Sequence, residues 1–198
     1  MTDPRPRVGE QRPGGRAARV RTAVLDATSA LLTEVGYDQL TIDEVASRAG
    51  VHKTTVYRRW PTKPELIAAA ISEDAARNVP IPDTGTLLGD LQALARSVVA
   101  NISSTGGALR TRTIVAAAAQ SADLTTSLNG FWAERLAASV PLIERAIDRG
   151  DLPAHTDPNL VIETLIGPIW VRFLLTGEPI DDHLADRVAE LVVAGATA

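Results

Sequence analysis

Two capping boxes, Thr41-Ile42-Asp43-Glu44 and Thr62-Lys63-Pro64-Glu65, bracket a stretch that also holds Gly50 and the Trp60-Pro61 step. In each box the Thr hydroxyl can accept from the Glu amide while the Glu carboxylate reaches back to the Thr amide, so a helix starts at Ile42 and another just after Thr62. Gly50 ends the first of these after two turns, with Ile42, Val45, Ala46 and Ala49 facing inward and Val51 as an apolar plug. A further helix fits between them only from about Lys53 to Trp60, because the residue before a proline is pushed out of helical geometry. The chain is thereby committed to two short helices joined by a Gly-containing turn.

The rest of the sequence also reads with helical period, and no strand alternation interrupts it. Val20, Val24, Ala27, Leu31 and Val35 form one stripe of a helix from about residue 18 to Gly36. The helix opened by Thr62 reaches about Asn78, and Val79 to Gly85 is the clearest connector. Helices follow near 87–103, 107–121 and 124–149, the last broken or kinked at Pro141 and closed by Gly150. Asp157 as N-cap and Pro158 in the first turn open a helix to about Thr176 that carries a Gly167-Pro168 kink. It is apolar nearly all round and must be covered on two sides. A final helix from about Asp182 sets Leu184, Val188, Leu191 and Val192 against Asp186 and Glu190. The expectation is an all-α protein of about nine helices.

With 198 residues, 45% of them hydrophobic, the chain can bury a real core as one domain or two small ones. It has no Cys, and His52, His155 and His183 stand far apart, so no metal site, cofactor site or catalytic residue is expected. The Arg-, Pro- and Gly-rich N-terminus lacks an apolar segment and reads as neither a signal peptide nor a membrane anchor, which points to a soluble cytoplasmic protein.

Charge is unevenly divided. Residues 1–60 hold ten Lys and Arg against seven Asp and Glu, while residues 61–198 hold ten against seventeen, in a chain of net charge -4. Lys53, Arg58, Arg59 and Lys63 gather with no acid before Glu65 and with Tyr57 and Trp60 among them, a one-sign patch that suggests an anionic partner. Set on two short helices around a turn, these residues make a helix-turn-helix reading. A B-DNA major groove, about 12 Å wide, admits one helix while the preceding helix crosses the backbone. Thr54 and Thr55 keep the leading turn slim, Lys53 can reach base edges, and Tyr57, Arg59 and Lys63 project where phosphates would run.

The run TIDEVASRAGVHKTTVYRRWPTKPELIAAA resembles the N-terminal DNA-binding domain of the TetR family of transcriptional regulators, over roughly residues 18–78. By that likeness Lys53, Thr54, Thr55 and Tyr57 fall on groove-facing positions, Thr41, Tyr57, Arg59 and Lys63 on phosphate-contacting ones, and Val56 and Trp60 on packing ones. Two departures stand out. His52 occupies a position where the family often has a capping Ser, and Arg58-Arg59 replaces the more usual aromatic or His pair, so base preference does not carry over. The body resembles the family's ligand-binding and dimerisation region chiefly in RGDLPAHTDPN and GPIWVRFLLTGEPID.

The resemblance implies a flexible Arg-rich arm over 1–17, a DNA-binding domain over 18–66 and a helical effector-binding and dimerisation domain over 67–198. The arm reads equally as a solubilising tail or as a minor-groove tracker. Ile114, Val115, Gln120, Phe131, Trp132 and Arg135 are candidates to line an apolar ligand cavity, against a plain-core reading. The apolar surplus of the last two helices, at Leu165, Ile169, Trp170, Phe173, Leu184, Val188 and Leu191, is assigned to a homodimer seam. The function expected is a homodimeric regulator, most simply a repressor, that leaves a palindromic operator in double-stranded DNA when an unknown small-molecule effector binds. The alternatives are an activator of the same fold, or a small-molecule-binding protein or enzyme that does not touch DNA.

Overall fold

The computed structural model describes residues 15–196, and among them nine α-helices and no strand. They are α1 (Gly15–Gln39), α2 (Ile42–Arg48), α3 (Lys53–Tyr57), α4 (Lys63–Asn78), α5 (Leu87–Ser103), α6 (Gly107–Ala118), α7 (Ala122–Asp148), α8 (Pro158–Val171) and α9 (Asp182–Ala196), with a π-helical turn, Arg172–Thr176, prolonging α8. Residues 1–14 of the Arg-rich arm lie outside the described residues, and residues 15–17 already belong to α1.

Most boundaries follow local chemistry. Gly36 interrupts α1 at φ +76° and ψ -179°, the break its position implies. Thr41 and Thr62 accept from the amides of Glu44 at 3.2 Å and Glu65 at 3.3 Å, and Asp157 accepts from Asn159 at 2.9 Å. One expectation needs correction. Helix α6 stops at Ala118, because Ser121 caps α7 by accepting from the Leu124 amide at 3.2 Å. Pro141 and Pro168 lie inside the continuous helices α7 and α8, where each removes one amide donor. The irregularity beyond Pro168 lies at the π turn, closed by Gly177 at φ +70°.

The helices enclose two apolar cores. The first gathers Val24, Leu25, Leu31 and Leu32 of α1, Val45 of α2, Val56 of α3, Leu66 and Ile67 of α4, and Trp60, and reaches out to Ile114 of α6 and Leu124 of α7. The second packs Leu91 and Leu94 of α5, Leu142 and Ile143 of α7, Leu165 and Ile169 of α8, and Ala185 and Ala189 of α9. Each fully buried leucine or isoleucine contributes about 1.5–3 kcal/mol by leaving water. Helix α4 belongs to both: Leu66, Ile67 and Ala70 sit in the first core, and Val79, its C-cap, sits in the second.

Polar contacts tie α4 to α1. Arg21 pairs with Glu73, Arg77 bridges Asp26 at 2.7 Å and Glu73 at 3.0 Å, and Ser29 donates to Asp74 at 2.8 Å. Gly106, at φ +80°, brings the start of α6 against α1 so closely that a Cβ there would lie 2.8 Å from the Thr33 methyl. A side chain at that position would therefore be strained and would push α6 off α1.

Candidate nucleic-acid interface

The turn between α2 and α3 is built by backbone hydrogen bonds. The Gly50 amide donates to Ser47 at 3.2 Å and the Val51 amide to Ala46 at 3.0 Å, the paired bonds of a Schellman stop, with Gly50 at φ +65°. Val51 is half-buried beside α2, and His52 starts α3 by accepting from the Thr54 amide through Nδ1 at 3.4 Å. The imidazole does the work of the capping hydroxyl usual at that position, provided Nδ1 carries no proton. Helix α3 ends at Tyr57, three residues earlier than expected, although the Arg59 and Trp60 amides still bond Val56 at 2.9 Å each.

Only Val56 and Trp60 of this stretch are buried, which anchors α3 and leaves its other side to solvent. Thr41, Lys53, Thr54, Tyr57, Arg58 and Arg59 are exposed, and Thr55 is half-buried. Tyr57 is 44% exposed, and its hydroxyl makes no hydrogen bond among the described residues. The cations differ in how they are held. Lys53 pairs with Asp43 of α2 at 3.0 Å, which raises its pKa, and both side chains remain more than half exposed. Arg59 lies 5.5 Å from the centre of the Trp60 ring, a cation–π contact that holds the guanidinium beside the end of α3. The Arg58 side chain has no ion pair or hydrogen bond among the described residues.

Lys63 is the least obvious. Its ammonium donates to the carbonyls of Tyr37 at 2.8 Å and Asp38 at 3.4 Å and lies 4.2 Å from the centre of the Tyr37 ring. It thus closes the chain reversal after Gly36, and burial lowers its pKa. One donor remains for an anion, since an ammonium has three. Tyr37 is the residue that sequence reading missed here, and its position next to Gly36 was the available signal.

The body holds a cavity of about 470 Å³ between α4, α5, α6, α7 and α8. Of the residues expected to line it, Ile114, Val115, Phe131, Trp132 and Arg135 do so, and Ile114 also closes the first core. Gln120 does not: α6 ends two residues before it, and its side chain lies exposed in the turn to α7. Asp74 and Arg110, 3.7 Å apart, line the cavity without having been anticipated. They also line a more polar crevice between α1 and α4, so this pair stands as the partition between the two spaces.

The seam residues require a larger correction. Leu165, Ile169, Phe173 and Val188 are buried in the chain's own second core, and Leu184 packs half-buried against it. Trp170 lines the cavity, edge-on to Trp132 at 5.4 Å and to Phe173 at 5.9 Å. Of the seven only Leu191 stands clear, at 67% exposure. The apolar side chains left uncovered on α8 and its π turn are instead Leu160, Val171 and Leu175, which follow helical spacing along one side.

The geometry is that of a short solvent-facing helix with cations at and beyond its ends, set on a helical body with a cavity. Residues 24–70 match the family described as bacterial regulatory proteins, tetR family, and residues 81–192 match the tetracyclin repressor-like C-terminal domain. The chain is 37% identical to the HTH-type transcriptional regulator AqdR of Rhodococcus erythropolis over 196 residues, which span 98% of this chain and 93% of that protein. It is 30% identical to the DNA-binding transcriptional repressor TetR of Mycobacteroides abscessus, with 86% and 90% of the two chains covered. The solved structure of the TetR family transcription regulator SCO0332 superposes with a TM-score of 0.78 at 30% identity, covering 89% of this chain and 98% of that one. The protein belongs to the TetR family of DNA-binding transcriptional regulators, and is not an enzyme.

Proposed function

We propose that this regulator is a repressor that grips a near-palindromic operator as a homodimer in the cytoplasm and releases it when a small molecule fills the body cavity. The observation that carries the reading is helix α4, whose first half packs in the DNA-binding core and whose second half, through Asp74, Ala75 and Val79, lines the cavity. A ligand that prefers one tilt of α4 then prefers one placement of α3. Only that difference in affinity between the two arrangements can drive release. The repressor named among the relatives supports this sign of regulation.

In this reading Lys53, Thr54 and Thr55 enter the major groove, while Thr41, Tyr57, Arg58, Arg59 and Lys63 face phosphates. Lys53 exchanges Asp43 for a base edge, and both partners are exposed enough for the exchange to be cheap. Functionally, residues 18–66 read DNA and residues 67–198 hold the effector and the partner copy, with the division falling inside α4. Two heads about 34–36 Å apart read successive grooves of one face of the duplex. The seam is built from the uncovered side of α8 and α9, where Leu160, Val171, Leu175 and Leu191 need a second copy. The α8 segment Pro158–Thr176 is apolar enough by composition to cross a membrane, with mean hydropathy 1.3, and that surplus is what a core on one side and a partner on the other would cover.

The test is retention of genomic fragments by the purified protein, followed by gel shifts across salt. Tyr57→Phe and Lys63→Ala should each weaken every duplex, and Lys63→Ala, which removes a charge, should also lower the salt slope by about one unit, whereas Tyr57→Phe should leave the slope unchanged. A protein that shifts no duplex at low salt, its own promoter included, would end this reading. A reporter with and without the gene separates repressor from activator.

A further inference from the structure

The polar groups around the cavity are unequally provided for. Asp74 has Arg110 at 3.7 Å and the Ser29 hydroxyl at 2.8 Å. The Ser139 hydroxyl donates to the Arg135 carbonyl at 3.0 Å. Glu163 is exposed, and a hydrated carboxylate carries no burial penalty. Arg135 is different. Half-buried in α7, its guanidinium makes one hydrogen bond, from Nη2 to the Val79 carbonyl at 2.8 Å, and no ion pair among the described residues. Four of its five N–H donors have no protein acceptor. Burial holds the group below the usual arginine range, and no neighbouring charge offsets that burial. The adjoining wall is aromatic, with Phe131, Trp132 and Trp170 in successive edge or tilted contacts at 5.0 and 5.4 Å.

We propose that the cavity takes an amphipathic organic anion, a ring-bearing carboxylate, whose carboxylate is received by Arg135 and whose ring lies against Trp132 and Trp170. The proposal names the ligand class for the effector site inferred above and rests on that reading. A guanidinium can hold a carboxylate through two parallel hydrogen bonds, each stronger than its bond to a neutral carbonyl. The wall is apolar enough to take the ring, and about 470 Å³ leaves room for a bicyclic acid. The acceptor that Arg135 now uses is the C-cap carbonyl of α4, so an anion that draws the guanidinium away frees the end of the helix that also packs in the DNA-binding core. The ligand's charge, rather than its bulk, then carries the signal.

Calorimetric titration of the full chain with naphthoate and with its primary amide, the same ring without the charge, tests this. The expected result is at least about tenfold tighter binding of the carboxylate, the gain of a charge-assisted pair. Arg135→Gln should abolish that preference, and Glu163→Gln should keep or widen it. Equal or tighter binding of the amide by the unaltered protein would overturn the proposal, as would no heat with either compound up to its solubility. Retained preference in a folded Arg135→Gln protein would do the same. The unaltered protein's choice between acid and amide decides the matter even if that variant fails to fold. A protein that prefers naphthoate yet never shifts a duplex upholds the anion site and refutes the operator reading; one that prefers naphthoate but holds its operator in its presence upholds the site and refutes effector release.

Discussion

Around Val56, the side chains of Val24, Val45, Leu66 and Ile67 reach zero exposure. In the body, Leu91, Leu142, Ile143 and Leu165 are buried as completely, yet a void of about 470 Å³ remains beside them, walled by half-buried or partly exposed Trp132 and Trp170. The two cores are made of similar residues and differ in what is left unfilled. A head that presents α3 at fixed spacing, as proposed, gains from dense packing, which transmits displacement instead of absorbing it. A body that responds to a ligand, as proposed, would keep unfilled apolar surface and forgo the dispersion attraction that filling it would supply. Helix α4, shared between them, couples the tight region to the loose one.

That contrast can be broken most directly by truncation. Leu66→Ala should lower stability by about 3 kcal/mol in urea unfolding, because the head cannot collapse onto the gap. Trp132→Ala, at a side chain that already borders open space, should cost less than half of that; equal losses would show that the cavity is as well packed as the head.

Next in size is the proposed seam. Val171→Glu with Leu175→Glu should give monomers in sedimentation and lower operator affinity about a hundredfold, the scale expected when two linked sites become independent. Trp170→Glu should leave the dimer intact, because that ring belongs to the cavity wall. A dimeric double variant would move the seam elsewhere.

A smaller effect sharpens the comparison inside the head. His52→Ala removes the α3 cap and should cost about 1 kcal/mol in thermal or urea unfolding, while His52→Ser should restore most of it. If alanine and serine behave alike, the imidazole is not acting as a cap.

The smallest concerns the α1–α4 clasp. Hydrogen bonds from Arg21 and then Arg77 hold the Glu73 carboxyl below the ordinary glutamate value of 4.5. A depressed carboxylate contributes stability that is fully present above the ordinary value and is lost as pH falls through the folded one. Glu73→Gln should therefore reduce stability slightly at neutral pH and flatten the acid limb below about pH 4.5 in melting curves. An unchanged acid limb would mean that the clasp contributes nothing that solvent does not replace.

Legibility followed the range of the interactions. Thr41, Thr62, Gly36, Gly50, Ser121 and Asp157 act on backbone groups within a few residues, and all but Ser121 are evident as helix signals in the sequence. Ser121 is masked by the alanines before it, whose helix propensity carries the expected end of α6 too far. The cationic patch around α3 is legible for the same reason, since Lys53, Arg58 and Arg59 all fall between a Gly stop and a Pro stop. Gln120 and the seam residues are misjudged because helical spacing says which side chains share a side and not what that side meets. Leu165 and Ile169 lie inside the second core; Leu160, Val171 and Leu175, as apolar in sequence, stay exposed.

Taken by itself, the amino-acid order settled where most helices begin and end, that two short ones flank a tight turn, and that the cations gather around the second. These are consequences of amide donors, capping oxygens and glycine conformations, which act locally. Only the packed chain decided that Trp170 faces a cavity, that Asp74 and Arg110 meet across its wall, and that Lys63 closes a reversal at Tyr37. It also placed Arg135 against the end of α4 with most of its donors unmet. Each of those pairs residues far apart along the chain, and their meeting depends on how the other helices fill space, which no periodicity in one segment encodes.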